Sequence, residues 1–159
     1  MATVTKKLPR SNQFDGAPYG NAVKHHFKLA TNAAGGAVDA DSAAALANGD
    51  IYRFGVLPAG LKLIDALSIV SDAFTASVTA KLGFAYVDGV DSADVPQDDD
   101  YFHAALAINA VGRTRANNTA VAPVTLPKEA YLIATIGGAS NASVGVWDVI
   151  VEGVNTGAP

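Results

Sequence analysis

The chain has 159 residues, no cysteine, a formal net charge of −4, and 16% charged against 50% hydrophobic residues. That length supports one domain burying about 70% of its unfolded surface, and the lack of cysteine excludes disulfides and thiolate metal sites. No apolar run reaches the ~20 residues of a membrane helix, and Met1-Ala-Thr-Val-Thr-Lys-Lys lacks the apolar stretch of a secretory signal, so a soluble chain is expected.

Residues 1–20 show no hydrophobic period and contain Pro9, Gly16, Pro18 and Gly20, which predicts an extended N-terminal arm. The arm is basic: up to Lys28 the charges are Lys6, Lys7, Arg10, Lys24 and Lys28 against Asp15 alone, so the acidic surplus lies in the rest of the chain. A basic arm on an acidic body reaches for an acidic partner or folds onto its own body. A surface this poor in charge also fits a chain partly covered by other subunits.

Residues 22–30 alternate, with Val23, His25, Phe27 and Leu29 opposite Lys24, His26 and Lys28. A period of two is the signature of a strand with one buried face. In the Ala- and Gly-rich run 32–48, Asp41 or Ser42 offers a cap for a short helix ending at Asn48-Gly49, and a loop with one turn fits equally well. Three apolar segments follow. Ile51–Leu57 and Leu61–Val70 are joined by Leu57-Pro58-Ala59-Gly60, whose Pro and Gly suit a β-turn. The third places Val78, Ala80, Leu82, Phe84 and Tyr86 on one face. These predict three successive antiparallel strands at the centre of a β-sandwich.

Residues 88–100 read as an acidic surface loop, because Asp and Pro suit strand interiors poorly. Tyr101–Val111 returns to the sheet, Gly112 ends it, and Arg113–Thr119 is a second polar loop. Val124-Thr125-Leu126 is a short extended piece between Pro123 and Pro127. Tyr131–Ile136 and Val144–Val151 are the last strands. In the final one Trp147, Val149 and Val151 share a face, and Val146 and Ile150 on the other indicate that it too is partly covered. Seven or eight strands, no fixed-period repeat and no dividing linker give an all-β fold, an antiparallel β-sandwich. The expected organisation is an arm over 1–20, a sandwich domain over 21–154 and a flexible tail over 155–159.

Chemistry is sparse. No Gly-x-Ser-x-Gly elbow strains a serine into exposure, and His25 and His26 point apart as neighbours on a strand do, so they cannot jointly hold a metal. Asp88, Asp91, Asp94 and Asp98 to Asp100 offer calcium-type oxygen ligands, but their spacing is not that of an EF-hand, which favours a solvated or partner-facing loop. No phosphate-binding glycine motif is present, and the acidic body argues against nucleic acid. An enzyme is not expected, nor a cofactor, a membrane partner or a nucleic-acid partner. Asn117-Asn118-Thr119 and Asn141-Ala142-Ser143 match a glycosylation triplet that means little without a signal.

The run Ala47-Asn-Gly-Asp-Ile-Tyr-Arg-Phe-Gly-Val-Leu-Pro-Ala-Gly-Leu-Lys-Leu-Ile-Asp-Ala, with Gly83-Phe-Ala-Tyr-Val-Asp-Gly and Gly112-Arg-Thr-Arg, resembles the capsid decoration (cement) proteins of tailed bacteriophages, over roughly residues 20–153. The resemblance implies a jelly-roll protein on the outer surface of a virion, bound as a dimer or trimer to the major capsid protein. It also implies an arm that ties neighbouring subunits, for which Lys6, Lys7 and Arg10 are the charged contacts and Phe14 and Tyr19 the apolar anchors. A carbohydrate- or receptor-binding β-sandwich of a phage fibre is the alternative, with Tyr101 and Phe102 as its exposed aromatic pair.

Overall fold

The computed structural model describes residues 1–5 and 21–157. Within them the regular elements are nine strands: β1 (Thr3–Thr5), β2 (Ala22–Thr31), β3 (Ile51–Leu57), β4 (Leu61–Asp72), β5 (Thr79–Tyr86), β6 (Asp98–Ala107), β7 (Gly112–Arg115), β8 (Ala130–Gly137) and β9 (Gly145–Asn155). They form a five-stranded sheet ordered β1-β3-β8-β5-β6 and a four-stranded sheet ordered β2-β9-β4-β7. The β-sandwich expected from the alternation is the fold that forms.

From β2 onward the chain doubles back on itself. β2 pairs with β9, β3 with β8, β4 with β7 and β5 with β6, all antiparallel. The first half thus meets the second half as one long ribbon, folded at the β5–β6 connection and rolled into two layers. β1 is the exception, pairing parallel with β3 at the sheet edge. It falls within the segment expected as an extended arm, and Val4, 2% exposed, packs into the core. Asp50 holds this end: its Oδ1 accepts the Ala2 N–H at 2.8 Å and its Oδ2 the Ala47 N–H at 2.9 Å. Lys6, Lys7, Arg10, Phe14 and Tyr19 lie outside the described residues.

The three central segments are strands, but they are not three antiparallel neighbours. β3 and β5 lie in one sheet with β8 between them, and β4 lies in the other. The connection after β3 therefore carries the chain from one layer to the other. Its turn falls one residue later than the sequence reading: the Leu61 N–H bonds the Pro58 carbonyl at 3.4 Å, and Gly60 takes the positive φ (77°) of the third position. That position needs a residue without Cβ.

Of the two readings open for residues 32–48, the loop is the one that forms, with isolated bridges and no helix. Two boundaries differ. Asp98 to Asp100, read as loop, begin β6. Gly112–Arg115, read as the end of a strand and the start of a loop, is β7 against β4. Both depend on a distant strand supplying the ladder, which local polarity does not report.

The core lies between the layers. Trp147 of β9, fully buried, meets the Phe54 ring of β3 edge-on at 5.3 Å, and Phe54 meets Tyr52 at 4.9 Å. A second aromatic group, Phe84, Tyr101 and Phe102, fills the β5–β6 side, with centroids 5.5 and 4.8 Å apart. Such edge-to-face pairs add a little beyond the area they bury.

Candidate functional site

Two surfaces combine exposed charge with apolar area. The first is the outer face of the four-stranded sheet. Phe27, Leu29, Trp147, Val149 and Val151 turn inward, so alternation sends their neighbours out. The pairing aligns His26, Ile150, Leu67 and Arg115 in one cross-sheet row, and Lys28, Asp148, Ile69 and Arg113 in the next. Ile150, Leu67 and Ile69 are only partly buried, and no other described residue forms a third layer over them. This is the partly apolar second face that Val146 and Ile150 indicated in the sequence.

Charges frame that apolar strip. Lys24 Nζ lies 3.0 Å from Glu152 Oε1, and His26 Nε2 lies 2.7 Å from Asp148 Oδ1. Arg115 bonds Asp65 and approaches Glu152 Oε2 at 3.6 Å. The hydrogen bond from Lys24 holds the Glu152 carboxyl below its usual range, and Asp65 pushes the Arg115 guanidinium up. These exposed pairs contribute little stability, and they keep polar heads ordered around an apolar strip. The sequence places the arginines of β7 in a polar loop, because nothing local to that segment reports the strand it pairs with.

The second surface is an apolar pocket of about 330 Å³ on the β5–β6 side. Phe84, Tyr101, Val95, Pro96 and Val124 line it, and Asp94 and Asp98 stand at its wall. The Tyr101 hydroxyl donates to the Ala122 carbonyl at 3.0 Å and accepts the Val124 N–H at 3.2 Å, tying the 121–124 segment against the loop. Burial raises the Tyr101 hydroxyl above its ordinary pKa. Asp91 shapes the loop itself, its Oδ1 accepting from the Ser92 and Gln97 N–H groups, both at 2.8 Å.

The acidic residues do not gather into one site. Asp88 pairs with Lys128 at 2.7 Å, and that hydrogen bond holds its carboxyl low. Among the described residues only Asp98, Asp99 and Asp100 cluster, their oxygens within 4.8 Å of one another. Lys81 Nζ sits 3.2 Å from Asp99 and 3.9 Å from Asp100, where it already offsets the charge. The Asp98 carboxylate hydrogen-bonds Asp100 and raises it.

Tyr101 and Phe102 are 6% and 1% exposed, not the open aromatic pair that a glycan-binding reading needs. The cause is an irregular register: Leu82 pairs with His103 while Phe84 pairs with Asp98, so β6 bulges and turns consecutive side chains inward.

His103 lies between the layers. Its Nδ1 is 3.0 Å from Asn117 Oδ1 and its Nε2 3.3 Å from Ser68 Oγ. Asn117 Oδ1 only accepts, so the proton is assigned to Nδ1 and the Ser68 hydroxyl donates to Nε2. Burial keeps the ring neutral by lowering its pKa. The arrangement has the order of a hydrolytic relay, but Ser68 and His103 are 1% and 0% exposed. No carbonyl can reach that hydroxyl, and the trio serves as a polar tie. Asn141, 1% exposed, is likewise structural. Its Nδ2 donates to Thr31 Oγ1 at 3.1 Å and the Ser143 carbonyl at 2.8 Å, while its Oδ1 accepts from Thr75. The side chain is unavailable to a glycan.

No protein-family model and no curated protein matches the chain. In three dimensions it is similar to a chain from the capsid of Ralstonia phage GP4, with a TM-score of 0.68 and 17% identity, covering 99% of this chain and 100% of that one. It is also similar to a chain from the capsid asymmetric unit of cyanophage Pam1, with a TM-score of 0.58 and 13% identity, covering 95% and 98%. At such identities the likeness is one of fold, and it runs along nearly the whole of both chains.

Proposed function

We propose that this chain is a structural protein of a phage virion that binds the outside of an assembled capsid, as a decoration or cement protein. The observation that carries the reading is the end-to-end match to a chain of the GP4 capsid. The strand order supports it: eight strands paired as one rolled ribbon, in two sheets, are the arrangement of a jelly roll, a fold of viral capsid proteins. The major capsid protein is the proposed partner, and the bound form a homo-oligomer, dimer or trimer. No step of this role calls for a catalytic residue or a cofactor.

The physical device is linkage. A protein whose site spans two or more shell subunits binds the assembled lattice and not the loose subunit. It then stabilises the lattice by RT ln(1 + [L]/Kd) at every site. An oligomer multiplies weak contacts through effective concentration. The outer face of the four-stranded sheet, with Leu67, Ile69 and Ile150 between basic edges, is the proposed seat on the shell. Lys6, Lys7, Arg10, Phe14 and Tyr19 are the proposed ties to acidic neighbours in the lattice.

Shells assembled without this chain, titrated with the purified protein, test the reading. Binding is expected to saturate at a fixed ratio to the shell protein and to raise the temperature at which the shell opens. If no closed shell forms in its absence, the chain is part of the shell, and the decoration reading is wrong.

A further inference from the structure

We infer that the acidic-walled pocket on the β5–β6 side receives the segment Lys6-Lys7-Leu8-Pro9-Arg10 of a second copy of this chain. The contact goes beyond shell binding and forms in solution without a shell. Three observations carry it: the chemistry of the pocket, the chemistry of the segment, and the distance between them.

The pocket offers an apolar floor, Phe84, Val95 and Val124, with Asp94 and Asp98 in its lining. Around it, residues 88–100 hold six aspartates and no basic residue. Asp88 and Asp99 are offset by Lys128 and Lys81. Asp98 hydrogen-bonds Asp100 within the cluster beside Lys81, and no described cation is placed within ion-pair distance of Asp94, the other acid of the lining. A fitting occupant carries one or two apolar side chains with positive charges on either side. Leu8 and Pro9, flanked by Lys6, Lys7 and Arg10, have that pattern, and between residues 1 and 20 the only acidic residue is Asp15.

Distance decides between a chain's own pocket and that of another copy. β1 ends at Thr5 on one edge of the five-stranded sheet, and β6 is the opposite edge. Four strand spacings separate them, about 19 Å. Leu8 is three residues past Thr5, a reach of about 10 Å at full extension. A chain therefore cannot fill its own pocket with this segment, while a neighbour standing edge to edge can. Such a contact joins two different surfaces, one from each copy, and this head-to-tail geometry closes into rings when the rotation allows. A ring of a few copies is a natural product, with each copy lending one segment and receiving one.

Sedimentation of the full-length protein in buffer without shells tests this, in 0.05 M and 0.5 M salt. Concentration-dependent association is expected that weakens at least tenfold at the higher salt. Asp94→Lys and the double variant Lys6→Glu, Lys7→Glu are each expected to lose it, with Asp94→Asn as a milder check that folding is intact. Mixing Asp94→Lys with Lys6→Glu, Lys7→Glu in equal amounts is expected to restore association into species of alternating copies, because the unaltered segment of the first meets the unaltered pocket of the second and the reversed segment of the second meets the reversed pocket of the first. A monomer at every concentration overturns the inference. Association that persists unchanged in Asp94→Lys, or a mixture that stays dissociated, overturns it equally. None of these readouts involves a capsid, so failure here leaves the decoration reading standing, and failure there leaves this one.

Discussion

Trp147 is the side chain on which the two layers close, fully buried and edge-on to Phe54 across the gap. Trp147→Ala is expected to cost about 3–5 kcal/mol through lost burial and an unfilled cavity, read as a shift in the urea midpoint at constant slope. Asn141 works by different physics, since its amide satisfies groups from three loops at once. Asn141→Asp replaces a donor by an acceptor against the Ser143 and Gly35 carbonyls, and a loss of about 3 kcal/mol is expected. His103 gives a pH dependence with a definite sign. Burial holds its folded pKa below the 6.5 of an ordinary histidine, so the unfolded chain binds the proton more readily. Stability is then full above pH 6.5 and falls as the pH drops below it. His25, also lowered by burial, adds a slope of the same sign. In His103→Gln the slope between pH 6.5 and 5 should flatten without vanishing, which thermal melts across that range will show. Trp147 could be placed in the core from its alternation with Val149 and Val151. Asn141 could not, because all its partners but Ser143 lie 66 to 110 residues away in sequence.

Strands announce themselves by period, whereas their partners are set by the whole chain. The alternation at 78–86 located β5 and its buried face, and the alternation at 22–30 located β2. Nothing local to Leu57–Gly60 distinguishes a hairpin from a crossing between layers, since either uses the same turn chemistry. β7, Gly-Arg-Thr-Arg, is mostly exposed and carries no apolar side chain, so only the ladder from β4 defines it. The close approach of β5 to β6 is a further property of pairing. A Cβ placed on Gly83 would lie 2.0 Å from the Asp98 carbonyl oxygen. Gly83→Ala is therefore expected to destabilise by about 1–3 kcal/mol, and to loosen the β5–β6 side as seen by amide exchange at Leu82 and Phe84. An unchanged denaturation midpoint would contradict the packing described here.

For the whole molecule, the charge imbalance between the first 28 residues and the rest was visible from the beginning, and so was the partly apolar outer sheet face. The pocket was not, because Phe84, Tyr101 and Val124 come together only after the ribbon rolls up. β1 also changes how the arm is to be tested. Removing residues 2–20 would take Val4 out of the core and uncover the edge of β3, confusing loss of binding with loss of stability. Reversing Lys6, Lys7 and Arg10 to Glu leaves β1 in place. Capsid occupancy is expected to fall at least tenfold while the melting temperature of the free protein, compared at concentrations where both forms are monomers, stays the same. The most direct test of the central claim is the copy number of this chain in purified particles, measured before and after mild denaturant. The account predicts a number comparable with that of the shell protein, and complete release from shells that stay closed. Absence from the particle, or release only when the shell collapses, would contradict it.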